Sequence, residues 1–241
     1  MRRGVLALLT TGMLGVISYQ ASAADLPTKA PKLAPAPLAY RWTGCFVGGH
    51  VGGIWAHKSW TLTAPDPTTP LGSHSPDDWL GGAQVGCDYQ FANNFVIGIQ
   101  GDYAWTGAEG SHLDVVDGTI DRTRISSLAS VTGRIGYAWD RWLAYIRGGG
   151  AWVRDKYDRT LIGTTVLAGF ASETRSGWTA GIGGEYAFTD FLSGFVEYDY
   201  YGFGSRTITF IAPDGTFNDN IIIKQHASVV KAGLNLRYSV R

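Results

Sequence analysis

The sequence predicts an all-β protein, an eight-stranded antiparallel up-and-down transmembrane β-barrel. Three observations carry that prediction. Residues two apart share their polarity through most of the chain, short polar turns alternate with long connections, and the composition is rich in glycine and aromatics but short of charge. There are 33 Gly, 9 Trp, 12 Tyr and 10 Phe in 241 residues, with charged residues at 17%, against roughly 25% in a soluble domain. Such a composition suits a wall whose outer side meets lipid through alternate strand residues.

The N-terminus is read separately. Arg2 and Arg3 precede a mostly apolar stretch, Val5 to Ile17, broken by Thr10, Thr11 and Gly12; Ala21-Ser22-Ala23 has the small-x-small form of a cleavage site. This is the layout of a secretory signal peptide over residues 1–23, with an apolar core too short to span a bilayer as a helix. Removing Arg2 and Arg3 from 20 basic and 20 acidic residues leaves a net charge of −2, which offers no basic surface to nucleic acid. Residues 24–41 carry Pro27, Pro31, Pro35 and Pro37 and read as an extended periplasmic tether. The barrel is assigned to 42–241. Its prolines, Pro65, Pro67, Pro70, Pro76 and Pro213, all fall in proposed loops, as residues that cannot donate to a β ladder should.

The strand period is clearest near the C-terminus. Val230, Ala232, Leu234, Leu236 and Tyr238 form an apolar set, and Val229, Lys231, Gly233, Asn235 and Arg237 a mainly polar one. The same split recurs in 95–106, 129–139 and 178–188. Short turns at Ala92-Asn93-Asn94, Asp140-Arg141 and Thr189-Asp190 join these runs. Long connections are placed near 57–78, 108–124, 156–175 and 204–225. The eight strands are then near 43–56, 79–91, 95–107, 125–139, 142–155, 176–188, 191–203 and 226–239. Short periplasmic turns and long extracellular loops are the plan of a bacterial outer-membrane barrel. Phe91, Trp139, Phe188 and Tyr238 lie near the short turns, and Trp79, Trp105, Trp152 and Trp178 near the long loops, as two interfacial belts require.

The polar face holds Asp88, Asp102, Arg134, Arg147, Glu185, Glu197, Asp199, Lys231 and Arg237. An eight-stranded interior is only wide enough to be filled by side chains. Both signs of charge are present, so this set reads as a lumen network of ion pairs and hydrogen bonds rather than an open channel. Glu197 with Arg147 or with Lys231 are candidate pairs. Closure requires the last strand to pair with the first, because an open edge in lipid leaves backbone groups unsatisfied.

Five segments carry a family resemblance. They are Trp42-Thr43-Gly44-Cys45-Phe46-Val47-Gly48-Gly49, Ile97-Gly98-Ile99-Gln100-Gly101-Asp102, Gly184-Glu185-Tyr186-Ala187-Phe188-Thr189-Asp190, Glu197-Tyr198-Asp199-Tyr200-Tyr201-Gly202-Phe203-Gly204 and Ala232-Gly233-Leu234-Asn235-Leu236-Arg237-Tyr238. In this order they resemble the small outer-membrane immunogenic proteins of alphaproteobacteria, within the wider OmpA-like barrel group. The resemblance runs from Trp42 to Tyr238. It implies an abundant, porin-like surface antigen of the outer membrane with no catalytic residues to carry over. It also implies a C-terminal aromatic read by the barrel-assembly machinery; Tyr238 takes that place and Ser239-Val240-Arg241 follow it.

Cys45 and Cys87 are the only cysteines. In an exported protein they point to a disulfide, here across neighbouring strands and on the outward face, with Cα atoms expected about 4.4–6.8 Å apart. The alternative is two buried thiols. None of His50, His57, His74, His112 and His226 has a metal-site spacing, and no cofactor is expected. The glycine pairs lie in strands and are not nucleotide loops. Thr207 to Ile211 and Ile221 to Ile223 flank Pro213-Asp214-Gly215 and read as a hairpin above the membrane.

These readings favour a structural and surface-interaction protein in contact with outer-membrane lipid and lipopolysaccharide; the sequence does not name an extracellular ligand. The alternative is a narrow porin for small solutes. A lipid-modifying enzyme would need a triad; His57 and Ser59 lie close in sequence, but no third partner is identifiable, so no enzyme is expected.

Overall fold

A computed structural model describes residues 40–62, 70–114, 119–164, 167–211 and 217–238. The proposed signal peptide, nearly all of the tether, the Pro213-Asp214-Gly215 turn and the last three residues lie outside that set.

Ten strands follow one another: β1 (Gly44–Leu62), β2 (Pro70–His74), β3 (Asp77–Gln90), β4 (Phe95–Thr106), β5 (Glu109–Asp114), β6 (Thr119–Trp139), β7 (Trp142–Leu161), β8 (Leu167–Ala187), β9 (Leu192–Ile211) and β10 (Phe217–Tyr238). Eight of them close a ring. β1 pairs with β3 on one side and with β10 on the other, from Cys45 opposite Tyr238 to Leu62 opposite Ile221. The ring continues through β4, β6, β7, β8 and β9, all antiparallel. Closure pairs every wall strand on both sides, which lets a β structure cross lipid. Among the described residues no helix is long and apolar enough to cross a membrane.

The tight turns use residues that tolerate a left-handed backbone. Asn94 has φ 67° and Asp140 has φ 51°, and Asn and Asp enter that region most readily among non-glycine residues.

The long connections need correction. Much of 57–78, 108–124, 156–175 and 204–225 is ladder rather than loop. β6 to β10 run for 20 to 22 residues each, and β2 and β5 add short flaps paired to β1 and β6. At about 3.3 Å per residue and a tilt near 40°, such strands rise roughly 50 Å, about twice the apolar band of a small barrel. The barrel therefore continues as a stalk beyond the outer belt. The alternation of polarity fades there because the outer side meets water while the inner side holds ion pairs. A bulge between Ile125 and Ser127 also shifts the parity of β6.

Below the stalk the parity is regular. Val47, Val51, Val85, Ile97, Ile99, Val131, Ile135, Ile146, Ile182, Val196, Leu234 and Leu236 all face outward and are exposed. All eight aromatics assigned to the two belts are exposed as well.

Candidate functional site: a stratified lumen

The interior is built in layers. At the short-turn end Tyr40, Trp42, Val96, Ala138, Leu143, Tyr145 and Ala187 form an apolar plug. Trp42 is fully buried; its backbone N–H donates to Gln90 Oε1 at 2.8 Å and its indole N–H to the Asp140 carbonyl at 3.1 Å. Tyr40, at the end of the proposed tether, is buried in the same plug.

Above it sits a balanced tier of two carboxylates and two guanidinium groups. Arg134 donates through Nε to Asp88 Oδ1 at 2.6 Å, and a second pair joins its Nη2 to Asp88 Oδ2. Arg237 donates to Asp88 at 2.8 Å and to Glu185 at 3.2 Å. Ser193 and Asn235 complete the Glu185 shell at 2.6 and 2.9 Å. The guanidinium planes also lie over aromatic rings, Arg134 over Phe46 at 4.6 Å and Arg237 over Trp42 at 4.5 Å. These bonds offset the desolvation that makes buried ion pairs costly. Gly98 makes room for this tier, since a Cβ there would collide with the Asp88 carboxylate and approach Arg134 Cγ to 3.2 Å.

The middle tier joins five more charges. Arg147 donates to Glu197 at 2.8 Å and to Asp102 at 2.5 Å, with Asp199 at 3.5 Å. Lys231 Nζ lies 2.9 Å from both Asp102 and Glu197 and 3.2 Å from Asp199. Tyr145 donates to Glu197 at 2.6 Å, and Ser130 to Asp102 at 2.9 Å. All nine residues of the polar face thus point into one lumen, and Glu197 contacts both Arg147 and Lys231.

Next comes a layer that polarity patterning alone did not reveal. Ile54, Ala56, Leu80, Ala104, Ala108, Ile125, Leu128, Ala151, Val153, Tyr201, Phe203, Ala227 and Val229 pack across the lumen as one buried apolar cluster. The void between this layer and the middle tier is about 10 Å³, no more than the roughly 10–15 Å³ that one water needs.

A third polar tier lies inside the stalk, in segments read from sequence as loops. Lys58 Nζ is 2.9 Å from Asp155, with both side chains fully buried. Tyr157 donates to Asp155 at 3.1 Å, and Arg175 donates to Tyr157 at 3.0 Å and to the Ile223 carbonyl at 2.9 Å. Arg159 donates to Asp121 at 3.0 Å. His74 and His112 meet through their Nδ1 atoms at 3.0 Å beside Trp60. Burial holds the Lys58 ammonium down to about 8 against the pull of Asp155. Burial also holds the His74 imidazole down to about 4, with His112, Lys58 and His57 adding to the effect. The signal for this tier was present in Asp155, Tyr157 and Arg159, which alternate at period two. It was masked by Arg154, Lys156 and Asp158, equally polar, on the other face.

Cys45 and Cys87 form a disulfide between directly paired residues of β1 and β3. Both cysteines are exposed on the outward face, so the buried-thiol alternative does not describe them. Their Cα atoms are 3.9 Å apart, closer than the expected range and closer than the roughly 4.5 Å of directly opposed residues in an antiparallel ladder, so the bridge draws the two strands together at this pair. His57 accepts no triad geometry. Ser59 Oγ is 3.4 Å from its Nε2, and its other ring nitrogen meets the Ser75 hydroxyl at 3.1 Å rather than a carboxylate. Among the described residues no group of three or more His, Cys, Asp or Glu is arranged to hold a metal ion.

A closed ring with an apolar exterior and a charged, filled interior can be set beside known proteins. Residues 11–235 match the family described as the outer membrane protein beta-barrel domain. The chain belongs to that family. Within it, this outer-membrane β-barrel is 27% identical over 244 residues to the 31 kDa outer-membrane immunogenic protein of Brucella melitensis, covering 96% of this chain and 99% of the relative. It is 31% identical over 205 residues to the 25 kDa outer-membrane immunogenic protein of Brucella canis, covering 83% and 84%. Two solved structures share the fold. The outer membrane protein OprG of Pseudomonas aeruginosa has a TM-score of 0.50 at 12% identity, over 84% of this chain and 99% of that one. The outer membrane protease OmpT of Escherichia coli has a TM-score of 0.53 at 7% identity, over 83% and 99%. At such identity the likeness is one of fold alone. The protein is thus an outer-membrane β-barrel of the bacterial cell, in contact with the lipid of that membrane.

Proposed function

We propose that this barrel is a non-conducting, non-catalytic structural and surface-interaction protein. It is exported by a signal peptide over residues 1–23, inserted by the barrel-assembly machinery and tethered on the periplasmic side by residues 24–41. It holds a rigid stalk and its connecting loops above the lipid for contact with extracellular molecules. Loops on a rigid scaffold are where recognition concentrates.

The observation that supports this reading most is the stratified lumen. Two charged tiers lie between an apolar plug at the short-turn end and an apolar layer near the outer belt. A hydrated ion would have to shed its water twice to pass, at several kcal/mol each time.

Planar-bilayer recording of the pure protein tests it. The expected trace has no steady openings whose size scales with salt. Such openings would overturn the sealed lumen and favour the narrow porin.

A further inference from the structure

The outward face of the stalk is not uniform. On β6 and β7, just beyond Trp105, Trp152 and Trp178, four exposed cations gather: Arg122, Arg124, Arg154 and Lys156. Arg124 stands directly opposite Lys156, and Arg154 is the next outward residue of β7 toward the belt. Like charges facing each other across a ladder destabilise it, so nothing in the fold calls for this arrangement. Among the described residues, Arg122, Arg154 and Lys156 make no ion pair, and Arg124 has only Glu109 at 3.5 Å, with both side chains about half exposed. Asp158, opposite Arg122, and Asp77, paired with Glu109, are the other acids at its border, which leaves a surplus of one positive charge over the patch and its border, with Arg154 and Lys156 at its centre.

The neighbours complete the patch. Ser127 pairs with Arg154, Ser172 with Lys156 and Thr174 with Arg154, so hydroxyls flank the cations on both sides. Below Trp152 the wall is low. Gly133, Gly148 and Ala180 form one row across β6, β7 and β8. A Cβ added at Gly133 or Gly148 would meet only a carbonyl oxygen, at 4.0 or 3.4 Å. Val131, Ile135, Ile146 and Ile182 border that row and face lipid.

We infer that this face binds a phosphorylated glycolipid of the outer leaflet, the membrane-anchored part of lipopolysaccharide. Its phosphates sit among Arg124, Arg154 and Lys156, its sugar hydroxyls meet Ser127, Ser172 and Thr174, and its acyl chains lie against the low wall beneath. Guanidinium groups match phosphate through paired N–H donors. The partner is a lipid rather than a soluble polyanion because the cations begin at the aromatic belt that marks the headgroup level and stand above apolar wall. The site rests on the outer-membrane placement but not on the sealed lumen or the loop role.

The test uses the full mature protein, refolded in detergent, with two lipid probes, bisphosphorylated lipid A and the same lipid with both phosphates removed, and one soluble polyanion. Native mass spectrometry reads retained lipid. The expected result is at least tenfold tighter retention of the phosphorylated form. Arg124→Ser/Arg154→Ser/Lys156→Ser should abolish that preference while keeping the gel mobility of the folded barrel, and Lys224→Ser, elsewhere on the stalk, should leave it unchanged. Equal retention of both lipids by the unmodified protein would overturn the site without any variant. So would an unaltered preference in the triple variant. Heparin, a soluble polyanion, serves as the third probe; if it binds through the same residues while neither lipid is preferred, the lipid assignment is wrong. Conductance is not read in this experiment, so a failure here leaves the sealed lumen untouched.

Discussion

Lys231 Nζ lies 2.9 Å from Asp102 Oδ1, linking β10 to β4 across the lumen with β1 and β3 between them on the shorter way round. A contact of this kind staples the ring transversely, where the backbone ladder only links neighbours. Arg147 does the same from β7 to β4 and β9.

Arg147→Met should be strongly destabilising. It leaves Asp102, Glu197 and Asp199 in a buried tier with Lys231 as their remaining cation, and breaking a buried pair by removing one partner costs about 3–5 kcal/mol. Urea unfolding in micelles, followed by gel mobility without boiling, checks this. A midpoint equal to that of the unmodified protein would show that the middle tier contributes nothing.

Gly98→Leu should lower stability by at least the roughly 1–3 kcal/mol of an overpacked interior, because the new side chain also crowds the Asp88–Arg134 pair. Gly184→Leu, at an outward site with open space around it, should be near neutral. The same unfolding assay separates the two.

Thiol alkylation should fail on the folded or unfolded protein until reductant is added, because Cys45 and Cys87 are joined. The double Ser variant should still form the barrel, since the same two residues are held in register by the β1–β3 ladder. Its loss should be about 2–4 kcal/mol, the usual effect of a disulfide closing a loop of this size. Mass spectrometry with and without reductant, then urea midpoints, tests both statements.

Acid should weaken the stalk. Burial keeps His74 neutral down to about pH 4, whereas an unfolded chain takes up the proton near 6.5. The unfolded state then binds more protons between these values, so stability falls as pH drops from about 6.5 to 4. The groups facing His74 are His112 on β5 and Lys58 and His57 on β1, with Asp121 on β6 beyond His112. Lys58, held at about 8, acts at the other end, and its contribution improves as pH rises from about 8 toward 10.5. Unfolding midpoints of the unmodified protein and of His74→Gln at pH 7, 5 and 4 measure the first effect. The variant should show the smaller slope.

Strand parity made the membrane part of this fold legible. Leu234 and Leu236 against Asn235 and Arg237 told the two faces apart, and the nine charges of the polar face could be named before their partners were visible. Which charges meet was not legible, because pairing across a ring depends on register and stagger, as the Lys231–Asp102 contact shows. The stalk was not legible either. Lys156 and Tyr157 are both polar to a simple eye, yet one is exposed and the other completely buried. The apolar layer escaped for the opposite reason: Ile54, Leu128 and Val153 look like lipid-facing residues although their parity puts them with the inward set, and only Ile125 lies beyond the bulge that shifts β6.

Spin labels placed one at a time along 229–238 and 143–148 test the central claim directly, with the native disulfide intact. The account predicts that labels at the outward Ile146, Leu234 and Leu236 collide with oxygen but not with a water-soluble nickel chelate, while labels at the inward Leu143, Val229 and Asn235 collide with neither. Access of the chelate to the inward set, or the absence of a two-residue period, would contradict a barrel that faces lipid with its apolar side and is filled by its charged one.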